Sequence, residues 1–90
     1  MANKRNLKKA INYIAGELFT ECVVLKDFIP NTDKEKVTEV MTKVLAMQDE
    51  MLRRISHPEP GNVKGFYKKL YQDLHTQVDA IADEISSLQQ

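Results

Sequence analysis

The chain has 90 residues, 42% hydrophobic and 29% charged, and its thirteen basic and thirteen acidic side chains cancel. That length supports one small domain, too apolar to remain intrinsically disordered, and its neutrality leaves any electrostatic partner to be argued from charge distribution alone. No apolar run approaches the ~20 residues that span a bilayer. The basic opening MANKRNLKK leads into an amphipathic pattern rather than a signal-peptide core, so a cytoplasmic protein with no membrane partner is expected. The single cysteine, Cys22, has no internal disulfide partner, which fits a reducing compartment.

The first element is a helix predicted over 4–29. Leu7, Ile11, Ile14, Leu18, Cys22, Leu25 and Ile29 recur in steps of three and four and keep one face apolar. Pro30 stops it by lacking a backbone N–H and by biasing Ile29 away from helical angles. The second helix is predicted over 33–56, opened by a capping box in which Thr32 accepts from the Glu35 N–H and Glu35 reaches back. Its stripe is Val37, Val40, Met41, Val44, Gln48, Met51 and Ile55, and the prolines and glycine of HPEPGN end it. The third is predicted over 63–88, capped by Asn62, with a stripe of Phe66, Tyr67, Leu70, Leu74, Val78, Ile81, Ile85 and Leu88.

Three helices of similar length joined by short corners predict an all-α fold, an up-down-up antiparallel three-helix bundle forming one domain over 1–90. The alternative is a core completed by helices from a second chain.

Such a bundle gathers the start of helix 1, the end of helix 2 and the start of helix 3 at one end. Lys4, Arg5, Lys8, Lys9, Arg53, Arg54, Lys64, Lys68 and Lys69 then face only Asp49, Glu50, Glu59 and Asp73, an excess of about five positive charges. The opposite end carries the matching excess of acids, among them Glu17, Glu21, Asp27, Glu39 and Asp83. Helix macrodipoles favour acids at N-termini and bases at C-termini. Helix 2 obeys that rule, whereas helices 1 and 3 run against it. The basic pole is therefore a candidate surface for an anionic partner, with Tyr71 at its edge as the ring freest to stack on a base.

Helix 1 also carries more apolar surface than one stripe requires. Phe19 and Val23 lie on one flank of its second half, Val24 and Phe28 on the other, and these four are the candidate oligomer interface. Met41, Met47 and Met51 add adaptable thioethers to helix 2.

Catalytic signals are thin. His57 begins the proline corner, His75 has Asp79 one turn on, and neither has a nucleophile beside it in the pattern. Cys22 falls on the buried stripe, where a thiol behaves as a small hydrophobe. Carboxylates four apart at Glu17 and Glu21, Glu35 and Glu39, and Asp79 and Asp83 lack the Glu-x-x-His motif of a helical di-metal site. The three glycines form no phosphate loop, and Gly16 stands alone inside helix 1. The expectation is a non-catalytic interaction module with no metal, cofactor or small-molecule substrate. It would pair with itself or a protein partner, with nucleic-acid binding through the basic pole as the less favoured alternative.

Overall fold

A computed structural model describes residues 4–58 and 60–89 as three helices, α1 (Lys4–Phe28), α2 (Lys34–Ser56) and α3 (Val63–Leu88). They form the expected all-α three-helix bundle, and the predicted boundaries agree with the observed ones to within one residue. α2 is the middle element: both other helices pack mainly against it, and α1 and α3 touch each other least.

The core is the shared axis of three apolar stripes. α1 buries Leu7, Ile11, Ala15, Leu18, Cys22 and Leu25; α2 buries Val37, Val40, Val44, Met47, Met51 and Ile55; α3 buries Leu70, Leu74, Ile81 and Ile85. The steps are of three, four or, between Leu74 and Ile81, seven residues, the spacing of a left-handed seam of interlocking side chains. Two expectations shift by one position. Met47, not Gln48, is buried in α2, and Ala15 takes a place in α1 beside a half-buried Ile14. Both alternatives fall on the same helical face, and the neighbouring axis selects the one nearer the centre. Gln48 instead sits half-buried at the α1–α2 seam, where its Nε2 donates to Asn12 Oδ1 at 2.8 Å. Ile29, placed at the end of the α1 stripe by its spacing, is exposed because the helix has already ended.

The corners differ in chemistry from the expected caps. Pro30 is followed by Asn31 at φ 68°, a left-handed conformation that asparagine tolerates better than most side chains. Asp33 is the N-cap of α2, its Oδ1 accepting from the N–H groups of Glu35 and Lys36 at 3.1 and 3.3 Å. The expected Thr32–Glu35 box is therefore displaced by one residue, and the Thr32 hydroxyl donates backward to the Ile29 carbonyl at 3.0 Å. At the second corner Gly61 takes φ 81°, which its lack of a Cβ permits. Asn62 occupies the N-cap position of α3 without a side-chain cap bond. Its amide lies over Gly65, where a Cβ would stand only 2.6 Å from Asn62 Oδ1.

Three polar straps fix the pairing of α2 with α3: Lys43 Nζ to Glu84 at 2.6 Å, Gln77 Nε2 to Glu50 at 3.0 Å, and Arg54 to Asp73 at 3.0 Å. In each strap the two residue numbers add to the same total, the signature of an antiparallel pair in constant register. Extending that register places the end of α2 beyond the first turns of α3, so α3 is slid about one to two turns along the α1–α2 hairpin. The 51 Å long axis of the molecule has the same origin, since α3, the longest helix at 26 residues, accounts for only ~39 Å. At the far end α3 stops short, and Gln89 shares a hollow with Thr20, Val24, Leu25 and Ile29 of α1 and its exit. Phe28 and Ile29 at the exit of α1 are exposed there, although Leu25 in the last turns of α1 and Val37 in the first turn of α2 remain buried.

Replacing Asp33 with alanine is expected to cost about 1 kcal/mol of stability in chemical denaturation, and Thr32→Ala distinctly less. A capping box at Thr32 would give the reverse order.

Candidate functional site

The fold brings the ends of the three helices together as the sequence implies, so the basic pole exists as a common end of the bundle. Lys4, Arg5, Lys9, Lys64, Lys68 and Lys69 are exposed and Lys8 is half-buried. Two of the nine cations are committed locally: Arg53 pairs with Asp49 one turn before it at 3.0 Å, and Arg54 straps α2 to Asp73 of α3. Among the described residues no ion pair engages the other seven. Of the acids counted against this pole, Glu59 lies outside the described residues.

Neither helix that begins at this end has an acid in its first turn. The positive ends of two macrodipoles therefore add to the lysine field. The rings are divided as their spacing suggests. Tyr67 packs against the core, Phe66 meets it edge-on with centroids 5.3 Å apart, and Tyr71 remains 38% exposed. The slide of α3 carries Lys64, Lys68 and Lys69 outward past the end of α2.

The apolar flanks of α1 separate into covered and open halves. Phe19 is half-buried against the core, on the side where Asn12 meets α2, and Val23 is half-buried. Val24 and Phe28 are exposed, Phe28 by 73%, and Ile29 beside them by 43%. Val24 faces outward from α1, and Phe28 and Ile29 stand at its exit, close to where α3 ends. On the outer side of the same helix Tyr13 is 67% exposed, and the space where a Gly16 side chain would project is empty. Residues Asn12, Tyr13, Gly16, Glu17, Thr20 and Glu21 outline the shallow notch that results. Tyr13, Ile29 and Gly16 did not stand out as surface features in the sequence. The signal that would have found them is the arc opposite the buried stripe, rather than the flanks.

A groove between α2 and α3, lined by Ala46, Met47, Ala80 and Ile81, is crossed by the Lys43–Glu84 and Gln77–Glu50 straps. The two straps border the groove, which stays open between them.

The residues with catalytic potential are dispersed. His57 closes the end of α2, its backbone N–H donating to the Arg54 carbonyl, and His75 is exposed on α3 with no hydrogen bond to Asp79. Among the described residues no three of His, Cys, Asp or Glu cluster as metal ligands would. Cys22 is fully buried on the α1 stripe. Burial, and then the neighbouring Glu21 carboxylate, hold its thiol above its ordinary value of 9.0. The Glu17 carboxylate one turn from Tyr13 raises the phenol above 10.0, first by accepting its hydrogen bond and then by charge repulsion.

No family model matches the chain, and no curated protein or solved structure matches it significantly.

Cys22 is expected to resist alkylation in the folded protein near neutral pH and to react fully once denaturant unfolds it. Because folding keeps the thiol protonated, the unfolded chain binds fewer protons above its ordinary ionisation range. The contribution of Cys22 is complete below about pH 9 and declines as the pH rises further. Denaturation at a series of pH values should show this decline in the wild type and less of it in Cys22→Ala.

Proposed function

We propose that this chain is a small non-catalytic interaction module that acts by binding, and that its first partner is another copy of itself. The observation that carries this reading is the exposed apolar group at the end of α1, Val24, Phe28 and Ile29, whose members adjoin one another whereas the exposed Leu45 and Val63 stand on other helices. Exposed large side chains scattered singly are ordinary on a protein surface, whereas a contiguous group marks a contact site. The strong charge separation along the bundle supports the same reading, since a body with one basic and one acidic end attracts its own kind in opposite orientation. The thin catalytic inventory supports binding over turnover.

A second reading rests on the pole itself. Seven cations outside any ion pair among the described residues, two acid-free helix N-termini and an accessible Tyr71 suit the backbone and bases of single-stranded nucleic acid. On that reading short DNA or RNA binds at low salt and is released log-linearly as salt rises, and a charge-reversed Lys64→Glu, Lys68→Glu, Lys69→Glu variant loses most of the affinity. Absence of binding at low salt removes it.

For the leading reading, sedimentation velocity should show a weight-average mass that rises with protein concentration into the hundreds of micromolar. Phe28→Ala should weaken that association while leaving the unfolding midpoint nearly unchanged, since the ring contributes little to the fold at 73% exposure. A mass fixed at the monomer value would rule self-association out.

A further inference from the structure

The self-association proposed above does not specify how two copies meet, and the outer face of α1 carries enough pattern to specify it. At 100° per residue, Lys9, Tyr13, Gly16, Thr20, Val24 and Asp27 share the arc opposite the buried stripe of Leu7, Ile11, Leu18 and Cys22. Along that arc the sequence of chemistries is base, ring, gap, hydroxyl, aliphatic, acid. Reversed end for end, it is complementary to itself.

A two-fold axis lying between two such helices and perpendicular to them makes the helices antiparallel. It pairs residues on the same side of the arc whose numbers add to a constant. With that constant near 36 to 38, Lys9 meets the partner's Asp27, Tyr13 meets the partner's Val24, and Ala10 meets the partner's Phe28, by position alone. Gly16 and Thr20 fall at the crossing. All of these residues are exposed within one chain.

Several features of α1 left unexplained by the single chain acquire a role in this arrangement. Gly16 is exposed inside a long helix, where glycine costs about 1 kcal/mol relative to alanine, and nothing lies within 4 Å of where its Cβ would stand. No contact within the chain requires the glycine. At a crossing it lets two helix axes approach to the short end of the usual 8–10 Å range. Thr20 already donates its hydroxyl to the Gly16 carbonyl at 2.8 Å, so covering it strands no donor. The bases that open α1 oppose its own macrodipole, and Lys9 and Asp27 attract across the antiparallel pair, while Lys26 lies off the arc and Glu17 and the partner's Glu21, both exposed, meet at its margin.

We infer that the outer face of α1 docks a second copy of this chain in antiparallel, two-fold fashion, crossing at Gly16 and Thr20 and registered by Lys9 against the partner's Asp27. This inference rests on the self-association reading, and the test separates the two.

The dimer constant is measured by sedimentation equilibrium for the wild type, Gly16→Leu, Lys9→Glu and Asp27→Lys, with circular dichroism and thermal unfolding confirming the fold of each. Leucine at 16 projects into open space within the chain, so the fold is kept while the crossing is blocked, and dimerisation weakens by at least about tenfold. Each single charge reversal turns two attractive pairs into two repulsive ones and weakens the homodimer by on the order of tenfold. Mixing the two single-reversal proteins restores affinity, because both cross pairs of the resulting heterodimer are again opposite in sign. A wild type that stays monomeric overturns this inference and the reading beneath it together. A wild-type dimer that Gly16→Leu leaves intact, or that mixing fails to restore, overturns this arrangement and leaves self-association standing.

Discussion

Everything in this molecule depends on one seam. Three stripes whose buried positions step by three and four residues have to meet along a common axis, and α2 is the helix whose stripe serves both neighbours. Burial of a Leu, Ile, Val or Met side chain contributes roughly 1.5–3 kcal/mol, so sixteen buried apolar side chains in a domain this small outweigh every polar contact it makes. Two of the described ion pairs, Lys43–Glu84 and Arg53–Asp49, are solvent-exposed, and pairs of that kind contribute about 0–1 kcal/mol each, while Arg54–Asp73 is half-buried. Their service is positional. They select one axial register of α3 from several that the seam would accept.

That division between seam and straps explains how much of the structure was legible in the sequence. Apolar spacing locates each helix and its inward face, and proline and glycine locate the corners, so boundaries and topology follow directly. Axial offset does not follow. The steps from Leu7 through Leu25 in α1 repeat from Leu70 through Leu88 in α3, so apolar spacing alone does not number one helix against another. Only long polar side chains on the seam's margin break that degeneracy, and their pairing depends on rotamers that no local pattern encodes. The same limit displaced the α2 cap. Thr32 and Asp33 are both competent N-cap residues, and the left-handed turn at Asn31 decides which one faces the free N–H groups.

The candidate surfaces were legible to different degrees. The basic pole is a product of topology, and a sequence that fixes the topology fixes the pole; only the commitment of Arg53 and Arg54 to neighbouring carboxylates needed coordinates. The apolar flanks of α1 were visible as a surplus. Which half is open was not, because the answer lies in where the other helices stand around α1. Phe19 and Val23 are partly covered, while Val24 on the outer side of α1 and Phe28 and Ile29 at its exit are exposed.

The slight contact between α1 and α3 also bears on how the chain reaches this structure. Nearly all inter-helix packing joins elements consecutive along the chain through corners of a few residues, so closing the bundle demands little loop entropy. Chains of such low contact order collapse in microseconds to milliseconds. The α1–α2 hairpin, carrying the larger share of that packing, is the natural nucleus onto which the last helix slides into place.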